Sequence, residues 1–407
     1  MKNNNYQSKK KNIFYKYMTK TTINGIPNII TSNNKFIKFF WICFCMIAAS
    51  ICAFFIFESG ADYLAWNVIT TVQIVRENKM VFPAISVCFD NDETTLQDSL
   101  IDCSFNDNSC SHDEFEFVRL LSNLGTKKHC YIFNGGKNSS GHIIPLKQTS
   151  KTNHFSGLKL SFFENTLVYY SVNDNNVKPT YDEIFSRLKT GQERFLIIDK
   201  LSEKKLDIPY NPCQNNKVIK QTLTPEILKS IGDYEYRQNN CYSICSMNYL
   251  TLACNCTFNE SINCADSNCL KVEYDAFDYT KQCSHLCPVE CDSNHYTVKK
   301  QAVSYLPSGE KLIELREWLK VKNKDSDLSD RKLISKIMYM NFFYENLKYT
   351  SITQIPKMIF SDLVSNVGGT LGLFLGISLL SFIEVLEFFI EIIFISSENK
   401  YHVAALD

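Results

Sequence analysis

Hydrophobic and polar positions divide this chain into two long apolar runs and a long mixed stretch between them. From Leu363 to Ile395 the sequence is nearly all apolar, longer than the roughly 20 residues that a bilayer-spanning helix needs. Gly368, Gly369, Gly372 and Gly376 fall in its first half, and Glu384, Glu387 and Glu391 in its second. At ~100° per residue, Gly369, Gly372 and Gly376 share one arc of about 60°, and the three glutamates share an adjoining one. Such a face predicts helix contacts and water on one side and lipid on the other. The second run, Phe36 to Phe57, holds 22 residues and one charge, Lys38, whose long stem reaches an interface. A cleaved signal peptide is the alternative, but its apolar region would be shorter and nearer the terminus.

Between the runs the period changes. Met80–Phe89, Leu158–Phe163, Leu167–Val172, Phe195–Ile198, Tyr296–Tyr305 and Asn341–Tyr349 are short and rich in β-branched and aromatic residues, which predicts strands. Thr224 followed by Pro225 predicts a helix start, with Thr as cap and Pro at the first position. Tyr234–Leu250 and Leu312–Leu319 predict two further helices, the first with Cys241 and Cys245 on one face. The expected fold class is a membrane protein with two transmembrane helices and a large disulfide-rich α+β ectodomain.

Composition sharpens this. Lysines and arginines balance aspartates and glutamates at 43 each, which gives no electrostatic sign of a nucleic-acid partner. Of 17 cysteines, Cys43, Cys45 and Cys52 lie in the first apolar run, and the other fourteen lie between Cys88 and Cys291. An even number in one bounded segment predicts an oxidised domain outside the cell. Zinc ligation is the alternative, and Cys254-Asn255-Cys256 is too close for the usual C-x2-C knuckle. Sequons at Asn138, Asn255 and Asn259 predict glycosylation on the same side. Lys2, Lys9, Lys10, Lys11, Lys16, Lys20, Lys35 and Lys38 precede or enter the first run with no acidic residue among them, which places that end in the cytosol. The expected organisation is a cytosolic segment 1–35, a span 36–57, an ectodomain 58–362 with a cysteine-rich region at about 213–291, a pore-bearing span 363–395 and a cytosolic segment 396–407, both termini being cytosolic at the plasma membrane. The histidines are scattered, and no catalytic triad, metal-ligand pattern or phosphate-binding loop is evident, so neither an enzyme nor a cofactor is expected.

Taken together and in order, several segments resemble the degenerin/epithelial sodium channel family, which includes acid-sensing and peptide-gated relatives. Phe82-Pro83-Ala84-Ile85-Ser86-Val87-Cys88 resembles the segment after the family's first span. Cys241, Cys245, Cys254 and Cys256 resemble its thumb, and Cys283, Cys287 and Cys291 the cluster closing it. Ser365 to Ser378, containing Gly-x-Ser at Gly376-Ile377-Ser378, resembles its pore signature. The resemblance implies a homo- or heterotrimeric, amiloride-sensitive, ligand-gated sodium channel of hand-shaped subunits with palm, thumb, knuckle and a small finger, and it leaves room for an extracellular peptide ligand. It implies the disulfides Cys88–Cys130, Cys213–Cys291, Cys241–Cys287, Cys245–Cys283, Cys254–Cys269 and Cys256–Cys264, leaving Cys103–Cys110. Spacing alone leaves the connectivity open.

The resemblance also assigns roles. Gly376, Ile377 and Ser378 would form the selectivity filter; Gly372 and Gly376 also read as a small-residue packing seam, which is compatible because a narrow pore needs close helices. Glu384 and Glu387 would be acidic rings of the inner pore, because a carboxylate within a span is costly unless it meets water or a partner; Glu391 reads as a solvated group at the interface. Asn24-Gly25 stands where the family has His-Gly, a gating motif, with an ordinary turn as the alternative. Asp362 falls at the position where side-chain size controls closure, and Asn366 replaces the aspartate of acid-sensing members. Trp66 and Tyr210 match aromatics that couple thumb to pore, or that simply pack. Asn67 and Val68 stand where acid-sensing relatives carry a histidine pair, which weighs against proton gating through histidine, though carboxylate clusters also titrate. Two competing readings remain: an ATP-gated trimeric channel, for which clustered basic residues around a phosphate site are not evident, and a non-conducting two-span receptor or adhesion protein, which would not require glutamates in a span.

Overall fold

The computed structural model describes residues 12 and 14–404, apart from 90–94, 122–126, 155, 164–167, 184–185, 189, 259–261, 264–266, 305–308, 323 and 325–327. The chain forms two compact units, one of residues 1–69 with 356–407 and one of residues 70–355.

The larger unit is built on two sheets. The first has eight strands in the order Val68–Arg76, Lys348–Pro356, Gln192–Lys204, Ile337–Tyr344, Leu158–Phe163, Leu100–Phe105 and Asn108–Ser109, with Asp292–Ser304 also pairing Gln192–Lys204. Gln192–Lys204 is its spine. It pairs antiparallel along its whole length with Asp292–Ser304, while its other edge takes Ile337–Tyr344 and then Lys348–Pro356, both parallel. The Asn341–Tyr349 run is therefore two consecutive strands divided by a bend at Glu345, Asn346 and Leu347. The second sheet has five strands, Ser186–Leu188, Val168–Asn173, Ala84–Phe89, Lys127–Phe133 and Phe115–Leu121. Ala84–Phe89 lies inside it and is buried at every position, with Ser86 its one polar residue.

Phe82-Pro83 splits the expected Met80–Phe89 strand in two, because proline offers no ladder donor. The break is used rather than left open. The Phe82 amide donates to Lys147 O at 2.9 Å, and its carbonyl accepts from the side-chain amides of Asn134 and Asn175 at 2.5 and 3.0 Å. The Phe82 ring is fully buried and meets Phe105 and Tyr344 edge-on, at 5.1 and 5.9 Å. Residues of both sheets thus share one aromatic core.

Helices complete the unit. Asn216–Thr222, Pro225–Ile231, Gln238–Ala253 and the turn after Tyr279–Gln282 form a stapled layer around Tyr236, which is 0% exposed and donates its hydroxyl to Pro288 O at 2.6 Å, while Ser267–Ala276 packs Leu270 against Leu250 and Cys254. Cys241 and Cys245 lie one turn apart and bond to Cys287 and Cys283. The remaining described bridges are Cys88–Cys130, Cys103–Cys110, Cys213–Cys291 and Cys254–Cys269. Cys256 is also disulfide-bonded, and Cys264, its implied partner, lies outside the described residues. Gly309–Val321 and Asp330–Ser335 pack Leu315, Leu319 and Leu333 on Phe163 and Ile337.

The smaller unit contains the apolar helix Lys35–Leu64, extending past Phe57, and two helices, Phe360–Leu375 and Leu379–Ala404, separated by a break with a 76° bend.

Gly157 tests the packing of the eight-stranded sheet. Its φ is +81°, and a Cβ there would lie 2.0 Å from Phe342 O, whereas Gly141, at φ +79°, has nothing within 4 Å. Gly157→Ala is expected to cost more than about 2 kcal/mol and Gly141→Ala about 1 kcal/mol. Thermal unfolding of the purified full chain checks this: midpoints lowered equally would refute the close approach.

Candidate functional site

The break between the two helices of the smaller unit is a local consequence of glycine. Gly376 adopts φ +66° and closes Phe360–Leu375 as a left-handed cap, its amide donating to Gly372 O at 3.1 Å. Ile377 donates to Leu371 O at 3.2 Å, and the next helix begins at Leu379. Gly376, Ile377 and Ser378 therefore stand outside both helices. The glycine arc of the first helix does not continue into the glutamate arc of the second, because the axis turns between them.

The two sides of Phe360–Leu375 differ. Phe374 stacks on Phe55 of the Lys35–Leu64 helix, with ring centroids 5.8 Å apart. Gly372 lies ~200° from Phe374 around the helix, and Gly368 and Gly369 have open space where a Cβ would be. The glycine side thus faces away from the first helix.

A segment near the N-terminus is seated against the break. The Asn24 amide donates to Leu375 O at 3.0 Å, and a Cβ on Gly376 would meet the Asn24 side-chain nitrogen at 2.4 Å. Gly25, at φ +88°, leaves no room for a side chain, since a Cβ would lie 2.3 Å from Cys45 Sγ of the first helix. Thr22 donates to Glu384 Oε2 from its amide at 3.0 Å and its hydroxyl at 3.3 Å, and Thr21 Oγ1 donates at 3.4 Å. Glu384, Glu387 and Glu391 recur at helical spacing on one face. They line a cavity of about 180 Å³ with Lys16, Tyr17, Lys20, Thr21 and Phe388. Glu391, expected to be a solvated group at the interface, has a side chain that is 37% exposed, with Oε1 3.5 Å from Lys16 Nζ. An ion pair this open contributes ~0–1 kcal/mol.

Ser381 is a residue that motif reading passed over. It is 2% exposed, lies 2.7 Å from Thr22 Oγ1, and accepts from the Ser378 amide at 3.1 Å. A hydroxyl inside the apolar run Leu379-Leu380-Ser381-Phe382 was the available signal, because a polar group among apolar neighbours needs a partner.

The other candidates occupy separate places. Asp362 accepts from the Ile359 amide at 3.1 Å and caps the first turn, where its charge meets the positive end of the helix dipole. Asn366 O accepts from Thr370 Oγ1 at 2.7 Å. Trp66 is half-buried with φ +52°, its ring 5.6 Å from Tyr63, just beyond the end of the first helix. Lys357 ties that end to the second helix's approach, with its amide 2.8 Å from Asn67 O and its amine 3.0 Å from Asp62. Tyr210 sits in the larger unit, half-buried after the cis Ile208–Pro209 bond, its amide donating to Asp207 O at 3.0 Å. The Asn138 side chain accepts from the Ser140 and His142 amides at 3.1 and 2.8 Å; Asn255 is exposed, and Asn259 lies outside the described residues.

A break between two apolar helices, with the first carboxylates roughly two turns beyond it at Glu384 and Glu387, suits ion passage better than bond chemistry. Comparison with known proteins agrees. The sequence model described as amiloride-sensitive sodium channel matches residues 17–95 and 89–388. The bile acid-sensitive ion channel of Mus musculus is 21% identical over 449 residues, covering 91% of this chain and 86% of the relative. The epithelial sodium channel subunit gamma of Neoceratodus forsteri is 22% identical over 381 residues, covering 85% of this chain and 53% of the relative. Acid-sensing ion channel 4-B of Danio rerio is 22% identical over 314 residues, covering 73% and 52%. The chain therefore spans little more than half the length of the latter two. These relatives are ion channels, not enzymes, and on the extent of the family match this chain belongs to the amiloride-sensitive sodium channel family.

Proposed function

We propose that the chain is a subunit of a sodium-preferring, voltage-insensitive, amiloride-sensitive cation channel at the plasma membrane. It crosses the bilayer twice, at 36–57 and 363–395, with residues 58–362 outside and both 1–35 and 396–407 in the cytosol. Three subunits, of one type or of related types, surround the pore. Gly376-Ile377-Ser378 forms the filter, and Glu384 and Glu387 concentrate cations below it.

The observation that carries this reading is the helix break. An unsatisfied backbone group in hydrocarbon costs several kcal/mol, so irregular backbone is tolerated at that depth only inside protein or beside water. Three copies of the break around an axis would offer carbonyls and hydroxyls to a partly dehydrated cation. The open glycine side is where such copies would approach one another. Lys38 is the one basic residue within either span, so no ladder of gating charges is available to a voltage sensor. Opening is then driven through the ectodomain by a peptide, force or acid. The names of the relatives mention bile acid and acid, which are different stimuli, and do not select one for this chain.

Two measurements test the proposal. In oocytes expressing the chain, alone or with related subunits, replacing external sodium by N-methyl-D-glucamine should move the reversal potential strongly negative, and Ser378→Ala should reduce sodium-over-potassium preference severalfold. A current carried by anions, or one indifferent to Ser378, would refute it. Gly25→Ala should reduce current at least about tenfold without loss from the surface, since left-handed backbone costs an alanine ~1–2 kcal/mol before the Cys45 clash is added. Cys45→Ala in the same chain should recover part of that current. Full current in Gly25→Ala alone would show that the segment is not seated there when the pore conducts.

A further inference from the structure

The larger unit has a pocket that none of the pore chemistry uses. About 320 Å³ in volume, it lies between the edge of the five-stranded sheet and the stapled helices. One wall is contributed by the end of Phe115–Leu121 and by Lys178 to Tyr181, the other by Pro225–Ile231 and Gln238–Ala253. Its lining includes Arg119 and Lys178 and, among the described residues, no Asp or Glu. Ile231, Ile244 and Met247 supply an apolar floor, beside several hydroxyls and amides. The two walls are tied where Asn240 Nδ2 donates to Lys178 O at 2.7 Å. That bond holds the Lys178 backbone against the helix while the side chain lines the space.

We propose that this pocket binds a terminal carboxylate carried on a compact apolar body, with Lys178 as the charge partner, Arg119 at the rim, and the body on Ile231, Ile244 and Met247. Three observations converge on this class. The lining carries positive charge with no carboxylate of its own. Burial pushes the Lys178 amine below the usual lysine range, and Glu116 offsets part of that effect. Glu116 is itself buried; its Oε1 accepts from the Tyr234 hydroxyl, and its Oε2 makes no hydrogen bond to Lys178 or to any other described group. An ammonium withdrawn from water gains most from an anion that can be hydrogen-bonded at the same point. A monoanion suits this lining better than a phosphate, because one half-buried lysine and one exposed arginine face a wall that is otherwise apolar or neutral. The volume fits a ligand at the small end of the range for such sites.

A carboxylate of this kind has two sources, a free organic acid or the C-terminal residue of a peptide. The test uses the full chain in lipid nanodiscs and saturation-transfer NMR with four probes: 3-phenylpropionate, its amide, the peptide Gly-Gly-Gly-Phe with a free carboxylate, and its C-terminal amide. The acid of at least one pair should bind at least about tenfold more tightly than its amide, the value expected for one charge-assisted hydrogen bond. Binding of both acids points to a peptide terminus, and binding of 3-phenylpropionate alone to a free acid. Lys178→Gln should abolish the difference between acid and amide, while Lys178→Arg keeps it within about threefold. Thermal unfolding of both variants establishes that they fold, and should Lys178→Gln fail to fold, the acid–amide ratio on wild type and on Lys178→Arg decides. Equal affinity for acid and amide, an unchanged ratio in a folded Lys178→Gln, or no saturable binding of any probe would overturn the proposal. Binding is read without current, so its failure is distinguishable from failure of the channel reading.

Discussion

An amide and a carbonyl cannot be left bare in hydrocarbon. On the proposed two-span reading, that constraint organises the smaller unit. A helix through a bilayer satisfies every backbone group internally, so breaking one after Leu375 requires other partners nearby. Here they come from several directions. Gly376 bends its amide back onto Gly372, Ile377 reaches Leu371, Ser381 accepts from Ser378, and Asn24 donates to Leu375. The last of these brings a distant part of the chain to the break and couples it with Glu384 through Thr22. A half-buried carboxylate that accepts from an amide and hydroxyls, as Glu384 does, is cheaper to keep than a bare one. The same contacts that make the break tolerable therefore also place the first acidic residue.

The larger unit meets an equivalent problem in a different way. Proline at position 83 interrupts the most buried strand, and two asparagine side chains take over the Phe82 carbonyl that a ladder would have used. Buried polar groups are acceptable when satisfied, and satisfied ones fix one arrangement of the aromatic core. In the helical layer a modest apolar core around Tyr236 is supplemented by Cys241–Cys287 and Cys245–Cys283, which limit the unfolded chain.

Element type was legible wherever the pattern was strong. Leu158–Phe163 alternates little and is bounded by turn formers, and it is a strand over those residues. The start at Thr224-Pro225 is also as read, although the Thr224 side chain makes no capping bond. Boundaries were less legible, for physical reasons. Phe195–Ile198 is the apolar centre of a strand whose polar ends, Gln192 and Lys204, are held by pairing with Asp292–Ser304 rather than by their own propensity. Ser267–Ala276 carries no run of apolar residues, and Cys254–Cys269 fixes its beginning. Cysteine pairing itself was not readable from spacing, and only the family resemblance singled out a connectivity. At the candidate site the individual residues were visible as motifs, but the seating of Asn24 against Gly376 was not, because no local pattern records a contact between residues so far apart in sequence.

Asn24 shows what that seating requires. The family resemblance places a histidine there, and its replacement would be disruptive were the ring's chemistry the reason for the contact. The bond to Leu375 O, however, comes from the Asn24 main chain, which every residue but proline supplies. The following residue is under a sharper demand. Gly25 turns at φ +88° against Cys45, a combination of backbone angle and clearance that other residues do not meet. Geometry at the break is thus held by the glycine, while the residue before it is free to vary in charge. An asparagine keeps the segment docked and removes a group that titrates near neutral pH. On the proposed channel reading, any pH response of the pore arises from residues other than position 24.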